Sequence, residues 1–224
     1  IGVVILPQLS KYVQKKDKKR ILLIQNKALE LSMFLSLPAS VALLIGSQEI
    51  ISALFGYGSF GQVAANNSAK ALYYFSLGLP AFALIKVFSS FFFANHDTKT
   101  PFYISVISVT LNVVISVYYF NKIGFIIIPI ATTVSSWFNS IILFIFLINK
   151  DLFKFNKIFL INFIKIVLAS FLMGLFFKYL IFIFQNQLVY DFSYKSFYLI
   201  LSVILGLIFY LTVSLIIKAF NFKD

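Results

Sequence analysis

Long apolar runs broken by short polar stretches dominate this chain. A helix needs about 20 mostly apolar residues to cross roughly 30 Å of hydrocarbon. Six stretches reach that length, at about 28–47, 68–94, 102–120, 124–148, 158–181 and 198–217. Ahead of them Ile1-Gly2-Val3-Val4-Ile5-Leu6 reads as the end of one more helix, so the chain is expected to be the C-terminal part of a longer protein. The stretch from Tyr198 to Ile217 carries no charge at all. Residues 20–32, "RILLIQNKALELS", mix charge with apolar positions and set Lys27 and Glu30 three apart on one helix face. They are predicted to form a cytoplasmic helical extension at the interface, before a first full span that Pro38 should kink.

Composition fixes the solvent. The chain is 61% hydrophobic and 12% charged, with a mean hydropathy of +0.96, which leaves too little polar surface to cover a water-soluble globule. The pattern is that of an all-α polytopic membrane protein. With no cysteine, a disulfide framework and a thiolate metal site are both excluded.

The basic excess, 19 Lys+Arg against 7 Asp+Glu, would suit nucleic acid in a soluble protein, but here its placement decides its meaning. Twelve of the basic residues fall in alternate connections and the C-terminal tail: Lys11, Lys15, Lys16, Lys18, Lys19 and Arg20, then Lys99, then Lys150, Lys154 and Lys157, then Lys218 and Lys223. The opposite connections, 48–67, 121–123 and 182–197, hold Lys122 and Lys195. Positive charge stays on the cytoplasmic side. Six spans therefore place the first loop and the C-terminus in the cytoplasm, and no nucleic-acid partner is expected. Tyr57, Phe60, Tyr118, Tyr119, Tyr190, Tyr194 and Tyr198 gather near the other face as an aromatic belt.

Polar groups inside the spans point to function, because hydrocarbon tolerates them only where they face protein or water. Ser105, Ser108, Asn112 and Ser116 share one helical face, and Thr132, Ser136 and Ser140 repeat every four residues with Asn139 beside them. Both stripes should point into a bundle, where small residues and hydroxyls pack helices together. Lys86 lies eight residues before the end of its span, about 12 Å along an ideal helix. It is either a cation facing a wet cavity that receives an anionic substrate or a lysine that snorkels to the headgroups. Lys165 and Lys178 sit nearer span ends and read as snorkelling. Asp97-Thr98-Lys99-Thr100-Pro101 forms a tight turn between antiparallel spans, with Pro101 starting the next helix where no backbone donor is needed.

No catalytic set appears. The carboxylates Asp17, Glu30, Glu49, Asp97, Asp151, Asp191 and Asp224 are scattered over loops and helix ends, and His96 stands alone in a loop. Neither a glycine-rich phosphate loop nor metal-ligand spacing is present. Transport fits better than enzymatic chemistry. A membrane transferase acting on polyprenyl lipids would need carboxylates or a metal near one face, while a non-transporting scaffold is compatible with the polar stripes.

Several strings carry a family resemblance: "ILPQLSKY" at 5–12, "SLPASVALLI" at 36–45, "LFGYGSF" at 54–60, "YYFSLGLPAFALIKVFSSFFFANHDTKTP" at 73–101 and "IATTVSSWFNSIIL" at 130–143. In order and spacing they resemble the C-terminal half of the lipid II flippase family (MurJ/MviN), over about residues 1–148. The resemblance implies part of a fourteen-helix transporter of the multidrug/oligosaccharidyl-lipid/polysaccharide exporter superfamily. Residues 1–148 would be part of the C-terminal lobe, holding the end of helix eight and helices nine to twelve, and 149–224 would be helices thirteen and fourteen, forming an apolar groove for a lipid tail.

The implied function is a flippase of the bacterial inner membrane. By alternating access it would move the undecaprenyl-diphosphate-linked peptidoglycan precursor, lipid II, to the outer leaflet for cell wall biogenesis. Its partners would be lipid II, membrane lipids and the cell-wall synthesis machinery. The alternative is a related exporter of another cargo, such as an O-antigen lipid or a drug. The family's essential cavity arginines lie on helices before Ile1 and are not carried over; Lys86 is the candidate cavity cation here.

No cofactor is expected, but the resemblance brings coupling to sodium or to membrane potential into view. A sodium site in some members would match Asn112, the backbone carbonyl of Ile128 and Thr132. The chain departs from that pattern at Ser116, where the sodium-binding members have Asp.

Overall fold

A computed structural model describes residues 2–219. Among them the chain forms α1 (Gly2–Gln14), α2 (Lys18–Ile45), α3 (Ser47–Phe55), α4 (Gln62–Ala94), α5 (Lys99–Ile123), a single 3-10 turn (Gly124–Ile126), α6 (Ile127–Asn149), α7 (Lys157–Ile183) and α8 (Lys195–Ile216). The fold is all-α. The predicted tail residues Lys223 and Asp224 lie outside the described residues.

The six predicted spans correspond to α2, α4, α5, α6, α7 and α8. From Lys99 to Asn149 the helical run is unbroken for 51 residues, about 76 Å if straight and more than twice the hydrocarbon thickness. The chain turns back at Gly124 instead. Its φ of +74° and ψ of −155° suit a residue without a Cβ, and its N–H caps α5 on the carbonyl of Phe120. Two lipid-length helices result, joined as a hairpin.

Two local expectations are corrected. The connection 48–67 is not plain loop, since it contains α3, a short helix that buries Ile51, Ser52 and Ala53. Residues 20–32 are helical as expected, but as the first half of one uninterrupted helix with the span rather than a separate element, and Gln25 and Asn26 are buried. Their polar groups clamp the segment between α6 and α7. Gln25 Nε2 donates to the carbonyl of Leu152 (2.9 Å) and Asn26 Nδ2 to that of Lys154 (3.0 Å), while Asn26 Oδ1 accepts from the N–H of Asn156 (3.0 Å). Nearby, Asn162 Nδ2 donates to Glu30 Oε1 (3.1 Å). An extended segment exposes backbone groups that hydrocarbon cannot satisfy, and these side chains supply the partners.

Both Pro38 and Pro80 sit inside helices. Pro80 has no N–H, so the carbonyl of Ser76 four residues earlier loses its helical donor. The hydroxyl of Ser40 on α2 donates to that carbonyl at 2.6 Å. The break in one helix is thereby stitched by a hydroxyl from its neighbour.

The chain divides into two compact units. The first, Ile1–Ser36 with Gly78–Ile164, has an aromatic core in which Phe91 stacks on Phe153 at 5.9 Å and Phe155 on Phe159 at 5.5 Å. Gly78 permits close packing of α4 on α6, because a Cβ there would lie 3.0 Å from the hydroxyl of Thr133. The second unit, Leu37–Leu77 with Lys165–Asp224, packs α3 on α8 and stacks Phe176 on Phe209 at 4.4 Å.

Candidate functional site

Within the first unit α4 presents Leu79, Phe82, Ala83, Lys86 and Val87, a set at helical spacing, to a cleft of about 250 Å³. Ser32 and Ser36, one turn apart on α2, complete its lining. Lys86 is exposed, and its backbone carbonyl accepts from the hydroxyl of Ser90 at 2.8 Å. No carboxylate lines the cleft, so the ammonium of Lys86 gives it a positive sign. The two serines were not singled out from the sequence. They repeat every four residues with Ser40, a signal the sequence did offer, but only the packing of α4 puts them in one cleft with Lys86.

The predicted sodium-site residues do come together across the α5–α6 hairpin. Asn112 Nδ2 donates to Thr132 Oγ1 (3.0 Å) and to Ser135 Oγ (3.2 Å), and Thr132 Oγ1 donates to the carbonyl of Ile128 (2.8 Å). Ser116 Oγ is buried without a hydrogen-bond partner. The cluster is neutral, and the hydroxyls of Thr132 and Ser135 are engaged within it. Asn112 turns its amide donors, not its oxygen, toward Thr132, and no carboxylate supplies the charge a cation would need. As folded, these residues pin α5 to α6. Among the described residues no group of three or more His, Asp or Glu could hold a metal ion.

The turn at 97–101 is more elaborate than its sequence suggests. Asp97 accepts from the N–H of Thr100 (3.0 Å) and from its hydroxyl (2.7 Å), and Lys150 from the end of α6 donates to the same carboxylate at 2.6 Å. Lys150 also reaches Thr100 Oγ1 at 2.9 Å. Burial raises the carboxyl's pKa, but the hydrogen bonds from Lys150 and Thr100 outweigh it and hold the group at about 2.

Lys195, read from the sequence as one of two lysines in the less basic connections, is buried at 1% exposure. Its ammonium donates to the carbonyls of Gly56 (2.7 Å) and Tyr190, between the rings of Tyr57 and Tyr190 at 4.4 and 4.5 Å. Tyr57 and Tyr190 thus form a cage for an internal cation. The sequence signal was available, since both tyrosines and the lysine had been placed at the same face.

A second cleft, of about 260 Å³, lies in the other unit between Leu37, Val41 and Ile45 of α2 and Phe171, Leu175 and Lys178 of α7. Its walls are apolar apart from Ser170 and Lys178.

Comparison with protein families decides the relationship: the model described as "Lipid II flippase MurJ" matches residues 1–201. The chain belongs to the MurJ lipid II flippase family. The match reaches past residue 148, where the sequence strings stop, into α8. Among curated relatives, "Probable lipid II flippase MurJ" of Rhizobium tropici is 37% identical over 153 residues, covering 67% of this chain and 28% of the relative. The protein of the same description from Rickettsia prowazekii is 34% identical over 138 residues, 62% of this chain and 27% of the relative. A solved structure, "Lipid II flippase MurJ, inward closed conformation", superimposes with a TM-score of 0.76 at 25% identity, over 96% of this chain and 42% of that one. The chain therefore spans less than half the length of the MurJ proteins it matches. Family membership, together with helices long and apolar enough to cross a bilayer, makes this a multi-pass membrane protein.

Proposed function

We propose that this chain is the C-terminal part of a flippase that carries lipid II, an undecaprenyl-diphosphate-linked peptidoglycan precursor, from the inner to the outer leaflet of a bacterial plasma membrane. The observation that carries the reading is the family match, and the chemistry on this chain agrees with it. A diphosphate in hydrocarbon is prohibitive unless cations meet it in a wet cavity. Lys86, in a cleft without carboxylates, is suited to that task. The same sign disfavours a cationic drug as cargo. The apolar cleft beside Phe171 and Leu175 is a surface on which a lipid tail could lie, and the charge bias of the connections supports a cytoplasmic C-terminus. For coupling, the neutral Asn112–Thr132 cluster supports a sodium-independent or potential-driven cycle over a sodium-driven one.

The test is complementation of a flippase-depleted bacterium by the full-length protein and by its Lys86→Ala variant, with membrane insertion measured in parallel. Wild type should restore growth, and the variant should insert normally while flipping at least about tenfold more slowly, as expected for losing one charge-assisted contact. Failure of the wild type would overturn the cargo assignment. Full growth on the variant would return Lys86 to a snorkelling role.

A further inference from the structure

A hydrogen bond joins α2 and α4 where each helix carries a proline. Ser40 follows Pro38 by two residues, and Ser76 precedes Pro80 by four. Pro80 lacks the N–H that an ordinary residue would give to the carbonyl of Ser76, and its ring crowds that carbonyl. Ser40 Oγ supplies the missing donor at 2.6 Å. Both serines are buried, at 5% and 1% exposure, so water does not compete for the bond. To make it, Ser40 forgoes the carbonyl four residues earlier on its own helix, the partner that Ser90, Ser108, Ser170 and Ser202 each take at 2.8 Å. The donor that α4 lacks thus comes from a different helix, and it is in place only while the two helices keep this register.

Helices bend at proline, and a glycine close by lowers the resistance further. In α4 the two stand together, Gly78 two residues before Pro80. The half of the helix beyond this break carries Leu79, Phe82, Ala83, Lys86 and Val87, the α4 wall of the cleft. We propose that Ser40 is a positioning residue: its bond to the Ser76 carbonyl fixes the bend of α4 at Gly78–Pro80, and release of that bond lets the Lys86 half of the helix swing during transport. The transport step rests on the function proposed above. A hydrogen bond between membrane helices is worth a factor of about 3–20 in an equilibrium. That suffices to hold one arrangement and is small enough to be given up in each turnover. With an ordinary residue at position 80, α4 would satisfy Ser76 from within and keep its shape whatever α2 did. The proline hands that control to Ser40.

The test uses the full-length protein in lipid vesicles and reads two quantities, amide hydrogen exchange over residues 76–84 and the maximal rate of lipid II flipping. The variants are Ser40→Ala, Ser40→Thr, Pro80→Ala and the double Ser40→Ala/Pro80→Ala. Ser40→Ala should speed exchange in that segment by about 3–20-fold and change the flipping rate, while Ser40→Thr, which keeps the hydroxyl, stays near wild type. Pro80→Ala returns the N–H to α4, so exchange and flipping should both slow. In that background Ser40→Ala should have no further effect on either. If Ser40→Ala does not insert, Ser40→Cys, whose S–H is a weak donor, should give the same change in smaller measure. Exchange that follows this pattern in a protein that fails to flip lipid II would keep the hinge and sink the function. Equal effects of Ser40→Ala with and without Pro80, or flipping at the wild-type rate in Ser40→Ala, overturn the inference and leave the bond a static stitch.

Discussion

The knot at Asp97 offers a quantitative test of how the α5–α6 hairpin is anchored. Its carboxylate takes donors from Lys150 and from the backbone and hydroxyl of Thr100, and is held at about 2 where 3.8 is usual. That difference corresponds to about 2.4 kcal/mol at 1.36 kcal/mol per pKa unit. The Lys150 side chain is 43% exposed, so solvent screening reduces the figure to about 1–2 kcal/mol. Because the folded-state value is depressed, the stabilisation is complete above about pH 4 and disappears as pH falls through about 2. Asp97→Asn keeps an oxygen for the Thr100 N–H but loses the ion pair. At pH 7 it should destabilise the purified full-length protein by about 1–2 kcal/mol. The gap to wild type should close toward pH 2. In a double-mutant cycle Asp97→Asn and Lys150→Met should couple by about 1 kcal/mol. Additive effects within about 0.3 kcal/mol, or a gap independent of pH, would refute the reasoning.

Other outcomes follow from the same geometry. Lys195→Met should lower stability by about 2–4 kcal/mol, because it strands the carbonyls of Gly56 and Tyr190 and empties the cage between two tyrosines; thermal unfolding and protease sensitivity of the 56–61 connection would report it. Asn112→Ala should cost about 0.6–1.7 kcal/mol by unpinning α5 from α6, measured by unfolding in detergent. The unfolding temperature of wild type should be the same in sodium chloride and choline chloride, whereas Ser116→Asp, which adds the missing carboxylate beside Asn112 and Thr132, should gain stability in sodium alone. A sodium-dependent shift in wild type would refute the reading of that cluster as a neutral pin.

Much of the fold was legible because hydrocarbon imposes a hard rule on sequence. Each helix must be long and apolar enough to cross, so the six runs marked themselves out, and the four-residue spacing of polar groups on α5 and α6 marked the faces that meet. The Asn112 and Thr132 stripes were readable for the same reason, being periodic on their own helices. Ser32 and Ser36 belong to the same kind of four-residue repeat with Ser40 on α2, but the repeat does not say which neighbouring helix it meets, so their place in one cleft with Lys86 came only from the structure.

What the sequence determined by itself is the all-α membrane class, the number and order of the spans, and the family strings that surround Lys86. Tertiary structure alone decided which distant groups complete one another. Lys150 reaches Asp97 across 53 residues and Lys195 reaches the Gly56 carbonyl across 139. Gln25 and Asn26 are buried as clamps, where their composition suggested an interfacial helix. The reason is physical: periodicity records how a helix divides its own surface between lipid and protein, whereas a hydrogen bond or ion pair depends on the register and rotation of two helices packed against each other, which no local pattern encodes.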